Sequence, residues 1–317
     1  MRAVFMGTPA IAVPSLEALA ERFEVALVVC QPDRPAGRGL AHKPPPVKAR
    51  ALELGLPVEQ PEKVRTGAFS ARLRELDVDF ALVIAYGRIL PLDVLTAPRR
   101  GCLNLHASIL PKLRGAAPIA WAIATRERET GVALMQMDEG MDTGPVLATR
   151  TLTLDPRETA DSLAVRLGAL AAEVVRRDLP RALAGELVAE PQDHACATSA
   201  PMLDKAHGRI DWSRPAAWVD AHVRAMTSWP GAFTTLGDGR VLKVLEAVPV
   251  EPPRLGEAEL VGEPGVVLVA DKRGAVVACG EGALELVRVQ LVGKKPQTGR
   301  DLVNGRALAV GARLGGA

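Results

Sequence analysis

Residues 25–30 read VALVVC, a run without a polar side chain. A strand with one face in water alternates apolar with polar residues. A strand apolar at every position belongs to a sheet covered on both faces. Asp79–Ala85 (DFALVIA) and Cys102–Leu105 (CLNL) have the same character. Arg2–Met6 ends at the turn Gly7-Thr8-Pro9, and Gly131–Met137 adds a further run. Between these runs lie helical patterns at Ala12–Ala20, Val47–Leu54, Phe69–Leu76 and Ile119–Thr125. Pro14 is tolerable in the first turn of its helix, where the missing N–H has no helical partner to lose. Strands alternating with helices call for an α/β fold with a mostly parallel sheet, Rossmann-like in layout.

Further along, Leu163, Leu167, Leu170 and Val174 recur on one face of a 3.6-residue period, which predicts a long helix from about Thr159 that is stopped near Gly185. Residues 186–206 lack such a pattern and read as a linker. Beyond it the signal changes. Phe233–Leu236, Val241–Val248, Gly265–Ala270, Ala275–Cys279 and Leu284–Leu291 are short β runs, separated by the turn pairs Asp238-Gly239, Arg273-Gly274 and Glu281-Gly282. Preceded by one helix at Pro215–Met226, they suit a small OB-like β-barrel. The expected division is therefore 1–185, a linker 186–206, and 207–317. A chain of 317 residues exceeds what one core usually organises, in keeping with two domains.

Composition narrows the function classes. With 48% hydrophobic and 24% charged residues, the chain is not disordered. A net charge of +2 creates no global field toward nucleic acid or membrane. Aromatics at 3% argue against an RNA reader built on stacking platforms. Cys30, Cys102, Cys196 and Cys279 form no CxxC pair, so neither a zinc cluster nor a disulfide framework is expected, and a reducing, cytoplasmic setting fits. No signal-peptide pattern opens the sequence, and no apolar run reaches the roughly 20 residues of a membrane helix.

The segment Gln31–Pro46 (QPDRPAGRGLAHKPPP) stands apart, with five Pro, two Gly and the cations Arg34, Arg38 and Lys43. It follows a sheet strand, so it opens where open α/β sheets place their ligands. Its charge suits something anionic, although a solvated loop has the same composition.

Three features can carry chemistry. Asn104-Leu105-His106 closes a strand, so Asn104 and His106 share a face about 7 Å apart. Together an amide and an imidazole can hold a developing oxyanion. The ordinary alternative is a satisfied core pair, but this chain holds only Asn104 and Asn304. Next, Ser108-Ile109-Leu110-Pro111 and Arg114-Gly115-Ala116-Ala117-Pro118 form a Pro- and Gly-punctuated loop whose exposed backbone groups suit a flat heterocycle. Last, Asp142 sits centrally in Asp138–Gly144 (DEGMDTG). It could close an Asx-turn, or it could partner an imidazole and fix its tautomer. Met6-Gly7-Thr8-Pro9 lacks the second and third glycines of a dinucleotide fingerprint, and no P-loop or nucleophile-elbow motif occurs. His42, His194, His207 and His222 show no ligand spacing and read as surface residues.

The combination of Asn104-Leu105-His106, Ser108-Ile109-Leu110-Pro111 and a downstream Asp142 resembles the 10-formyltetrahydrofolate-dependent formyltransferases. Within that group, Gln31–Gly39, Ala85–Pro91, Arg114–Ile119, Met135–Asp138, Ile210–Trp212 and Gly293–Lys295 are similar to segments of the members acting on initiator methionyl-tRNA. The resemblance runs from Phe5 to about Gly305. It implies a Rossmann-like catalytic domain and an OB-like domain that contacts tRNA. It also implies a 10-formyltetrahydrofolate donor, with no metal, and the methionyl α-amino group as acceptor. By resemblance Asn104, His106 and Asp142 are catalytic. Ser108, Ile109, Leu110 and Pro111 would contact the folate, and Arg34, Arg38, Lys43 and Lys205 the tRNA; a monomer is expected. Ala107 departs from a usual Gly, Leu113 from a common Trp and Ser199 from a frequent Tyr. The nearest alternatives are a formyltransferase for a sugar-nucleotide amine or for glycinamide ribonucleotide, a formyltetrahydrofolate hydrolase, and a catalytically silent RNA-binding module.

Overall fold

The computed structural model describes residues 1–36, 41–251, 254–255, 258–259 and 262–315. Two compact units divide the chain. The first comprises Met1–Pro118, Glu129–Leu154 and Leu163–Pro201, the second Ile119–Arg128, Asp155–Ser162 and Met202–Ala317. Of the stretch expected as a linker, residues 186–201 fall in the first unit and 202–206 in the second.

In the first unit the strands are β1 (Arg2–Gly7), β2 (Glu24–Val29), β3 (Arg34–Ala36), β4 (Ala41–Lys43), β5 (Val58–Glu59), β6 (Phe80–Ile84), β7 (Cys102–His106), β8 (Glu129–Gln136) and β9 (Val146–Thr153). Helices follow most of them: α1 (Val13–Ala20), α2 (Pro46–Glu53), α3 (Ala68–Glu75), α4 (Leu92–Leu95), α5 (Pro118–Ala124), which after Pro118 belongs to the second unit, α6 (Ala160–Arg177), which belongs to the first unit from Leu163, and α7 (Leu179–Leu183). The main sheet has the order β5-β2-β1-β6-β7-β8-β9. It is parallel from β5 to β7, and β8 and β9 are antiparallel. The order reverses between β1 and β6, the switch point of a doubly wound sheet.

The apolar runs explain this layout. Val4, Met6, Leu27, Val29, Ala81 and Val83 pack on one face with Phe69 and Leu73 of α3 and Val94 of α4. The alternate residues Ala3, Phe5, Val28, Phe80 and Leu82 are also fully buried, so both faces are covered. On α6, Leu163, Leu167 and Val174 of the predicted stripe are buried together with Ala171 and Val175, while Leu170 lies at its edge, half-buried. Each large apolar side chain removed from water stabilises by about 1.5–3 kcal/mol.

The second unit contains α8 (Ala216–Ala225), α9 (Gly299–Asn304) and the strands β10 (Phe233–Thr235), β11 (Val241–Val250), β12 (Arg254–Leu255), β13 (Ala258–Glu259), β14 (Val267–Asp271), β15 (Gly274–Ala278), β16 (Ala283–Leu291) and β17 (Gln297–Thr298). An antiparallel sheet runs β10-β11-β16-β15-β14, with β17 beside β16. Its two edges are tied by one segment. The Gly311 and Leu314 N–H groups donate to Val267 and Gly265 at the β14 edge, and the Gly315 N–H donates to Thr235 on β10, at 2.8–2.9 Å. That arrangement is compatible with the expected barrel. His222, read from sequence as a surface residue, is half-buried on α8, and its Nε2 is shut off from solvent without a partner.

Candidate active site

At the carboxyl end of β7, Asn104 lies between Val83 of β6 and Met135 of β8, and His106 lies opposite Ala133. Directly paired residues of an antiparallel ladder share a face. Ala133 and Met135 pack with Leu110, so the segment 108–111 folds back over the face that carries Asn104 and His106. Ser108 makes this possible: its buried Oγ donates to the Lys112 carbonyl at 2.6 Å, closing a turn. Of the four residues expected to meet the folate, Ser108 and Leu110 therefore point inward, and Ile109 and Pro111 are half-exposed.

Asn104 is 8% exposed, and its carboxamide makes no hydrogen bond among the described residues. Its two polar atoms are not among those sealed from solvent, so the amide is open to a ligand at the end of the strand.

His106 is the converse. Its Nε2 lies 2.9 Å from the Leu113 carbonyl and its Nδ1 3.5 Å from Asp142 Oδ1. A carbonyl only accepts, so Nε2 carries a proton, and Nδ1 faces the carboxylate across a gap slightly wider than a hydrogen bond. Asp142 reaches this position from a tight loop after β8, with a backbone φ of 55°. Its Oδ2 accepts from the Gly115 N–H at 2.9 Å, which Gly115 can offer because it adopts a φ of 123°. Gly144 lets the loop press on β8, since a Cβ there would lie 1.8 Å from the Gln136 carbonyl.

Residues that the sequence reading did not single out hold these parts. The Gln192 Nε2 donates to the Asp142 carbonyl at 2.9 Å and the Gly144 carbonyl at 2.7 Å, while its Oε1 accepts from Arg114 at 2.7 and 3.1 Å. Thr198 Oγ1 accepts from the Leu113 N–H at 2.8 Å. The Arg114 N–H donates to the Thr198 carbonyl at 2.9 Å, and Ala200 N–H to the Arg114 carbonyl at 2.7 Å. A lone Gln or Thr in an unpatterned stretch carries no spacing signal, so only the fold reveals them.

The remaining expected residues lie elsewhere. Arg34 and Lys43 face each other across the β3–β4 hairpin, both exposed, and neither makes a side-chain bond among the described residues. Like charges directly opposite repel, so this pair would be relieved by an anion. Arg38 lies outside the described residues. Lys205 is exposed in the second unit. A recess of about 310 Å³ borders Leu92–Gly101 and Gln136–Asp138 but includes none of Asn104, His106 or Asp142.

The chain has counterparts among known proteins. Residues 1–179 match the model of the formyl transferase family, and residues 202–307 match its C-terminal domain. The chain belongs to the formyl transferase family. A methionyl-tRNA formyltransferase of Sorangium cellulosum (strain So ce56) is 62% identical over 99% of this chain and 100% of that protein. One of Myxococcus xanthus (strain DK1622) is 49% identical over 98% and 97%. Among solved structures, the sugar 3N-formyl transferase WlaRD covers 93% of this formyltransferase and 99% of its own chain, with a TM-score of 0.66 at 15% identity. HypX from Aquifex aeolicus, in complex with tetrahydrofolic acid, covers 98% of this chain and 48% of its own, with a TM-score of 0.64 at 21% identity. At those identities the structures speak for the fold.

Proposed function

We propose that this enzyme transfers the formyl group of 10-formyltetrahydrofolate to the α-amino group of methionine on initiator tRNA. The observation that carries the chemistry is the unpartnered Asn104 carboxamide beside the His106–Asp142 pair at the end of β7. The acceptor is supported by full-length similarity to methionyl-tRNA formyltransferases. As the amine attacks, the Asn104 N–H groups donate to the formyl oxygen, where charge builds. One such donor lowers the barrier by roughly 3–4 kcal/mol.

The ring geometry changes the role first given to His106. With Nε2 donating to Leu113, the imidazole does not also serve as an oxyanion donor through that nitrogen. In the neutral ring Nδ1 carries the lone pair, beside Asp142, and receives the proton that the amine loses. Asp142 stabilises the imidazolium so formed. The folate N10 leaves with a proton from the same pair.

The test is direct. The protein is incubated with 10-formyltetrahydrofolate and charged Met-tRNA, and the esterified amino acid is released and identified. Formyl-methionine is expected. Release of free formate without formyl-methionine, or transfer only to a sugar-nucleotide amine, would overturn the assignment.

A further inference from the structure

We propose that Gln192 is a positioning residue that fixes Asp142 in register with His106, so that the stretch read from sequence as linker sets the geometry of the proposed reaction. The inference rests on the formyl-transfer reading for its kinetic consequence, but not for its structural one.

The Gln192 side chain is 9% exposed and uses its hydrogen-bonding capacity in full. Its two N–H bonds go to the carbonyls of Asp142 and Gly144. Its oxygen takes two bonds from one guanidinium, that of Arg114. The orientation is dictated by the partners: carbonyls only accept and a guanidinium only donates, so the amide cannot be reversed. It thereby fastens the loop carrying Asp142 to the loop that follows His106.

Asp142 needs such a fastening. Its backbone is left-handed, at a φ of 55°, a conformation that an L-residue keeps only where its surroundings hold it. The bond to its own carbonyl is where that conformation is held. The Gly115 N–H holds the carboxylate from the other side, and Gly115 directly follows Arg114. Gln192 thus reaches both supports of Asp142 at once, one through its N–H groups and the other through Arg114. Loss of the amide would let the carboxylate drift from Nδ1, and a displacement of about 1 Å in a catalytic group costs roughly 10²-fold in rate.

Two substitutions separate the halves of the contact. Gln192→Glu retains an acceptor for Arg114 but sets carboxylate oxygen against two carbonyls. Gln192→Met removes both sets of bonds at similar volume. Each variant is compared with wild type by thermal melting, by hydrogen exchange of the peptides covering 138–144, and by kcat and KM for both substrates. In both variants the melting midpoint stays within a few degrees of wild type. Exchange in 138–144 accelerates roughly tenfold or more, and kcat falls roughly 10- to 100-fold with KM changed less than threefold. Unchanged exchange in 138–144 overturns the proposal whatever the activity. So does an unchanged kcat, or a loss confined to stability and shared equally by every peptide. If wild type itself transfers no formyl group, the functional reading falls, and the exchange result alone decides the role of Gln192.

Discussion

Two clusters of polar groups occupy the carboxyl ends of strands in the first unit, and they differ in what they leave open. At the switch point, beyond β1, β2 and β6, Gln31 Nε2 donates to the Tyr86 carbonyl at 3.2 Å and Gln31 Oε1 accepts from Arg88 at 3.1 Å. Lys48 Nζ sits 2.7 Å from Asp33 Oδ2 and 2.7 Å from Gln60 Oε1, and Gln60 Nε2 donates to the Gln31 carbonyl at 2.8 Å. There the amides and the ion pair are answered from within. At the end of β7 the Asn104 carboxamide is answered by nothing among the described residues, and Nδ1 of His106 stands 3.5 Å from its carboxylate. Polar density alone therefore does not mark a reacting centre. What sets the β7 cluster apart is an open amide on the same strand face as an imidazole that meets a carboxylate.

The contrast can be broken at either end. The largest effect belongs to the β7 cluster: His106→Ala or Asp142→Asn lowers the rate of formyl transfer roughly 10²- to 10⁴-fold while the thermal midpoint changes little. Steady-state kinetics at saturating donor and acceptor check this. The switch-point cluster responds the other way. Gln31→Leu removes one bond from the Tyr86 carbonyl, which keeps that of Thr8 Oγ1, and one from Arg88, which keeps the Glu62 carbonyl, so it costs about 1 kcal/mol of stability, with kcat within a few-fold of wild type. Urea unfolding and kinetics on the same preparation read both. A kinetic collapse without loss of stability would move the reacting centre to the switch point.

A smaller effect is expected at the hairpin. Arg34→Ala combined with Lys43→Ala weakens tRNA binding and reduces the slope of log K against log salt by about 2, one unit per lost phosphate contact. An unchanged slope would make the hairpin a solvated feature. The smallest effect concerns His222. Burial holds its protonation below the ordinary imidazole range, opposed by a backbone bond at Gly208 and the charge of Asp211. A group that binds its proton less readily folded than unfolded contributes stability above the unfolded value and loses it as pH falls below. Stability of wild type should decline as pH drops through and below about 6.5, and His222→Gln should flatten that decline, as read by melting against pH.

Much of the fold was legible because burial writes itself into sequence. Runs apolar at every position, such as Val25–Cys30, require a sheet covered on both faces, and β2 and β6 lie where they say. The strand β9, Val146–Thr153, was not legible, because an edge strand carries exposed Thr149, Thr151 and Thr153 and a half-buried Arg150, and shows no such run. The start of α9 did carry a signal: Thr298 and Asp301 form a capping box, Thr-x-x-Asp, that the composition of the surrounding turn conceals. For the site, Asn104, His106 and Asp142 share a pattern of spacing that chemistry can interpret. Gln192 and Thr198 act through backbone groups 48 to 85 residues away, and no local pattern encodes that distance.

The most direct measurement is single-turnover formyl transfer by Asn104→Ala, with donor and Met-tRNA both saturating, beside a melting curve of the same protein. Because the carboxamide satisfies nothing in the fold, its removal leaves stability undiminished, while the transfer rate falls roughly 10²- to 10³-fold. A rate within threefold of wild type would contradict the account. So would a variant that loses stability in step with its activity, since either result would make Asn104 a part of the frame and not of the reaction.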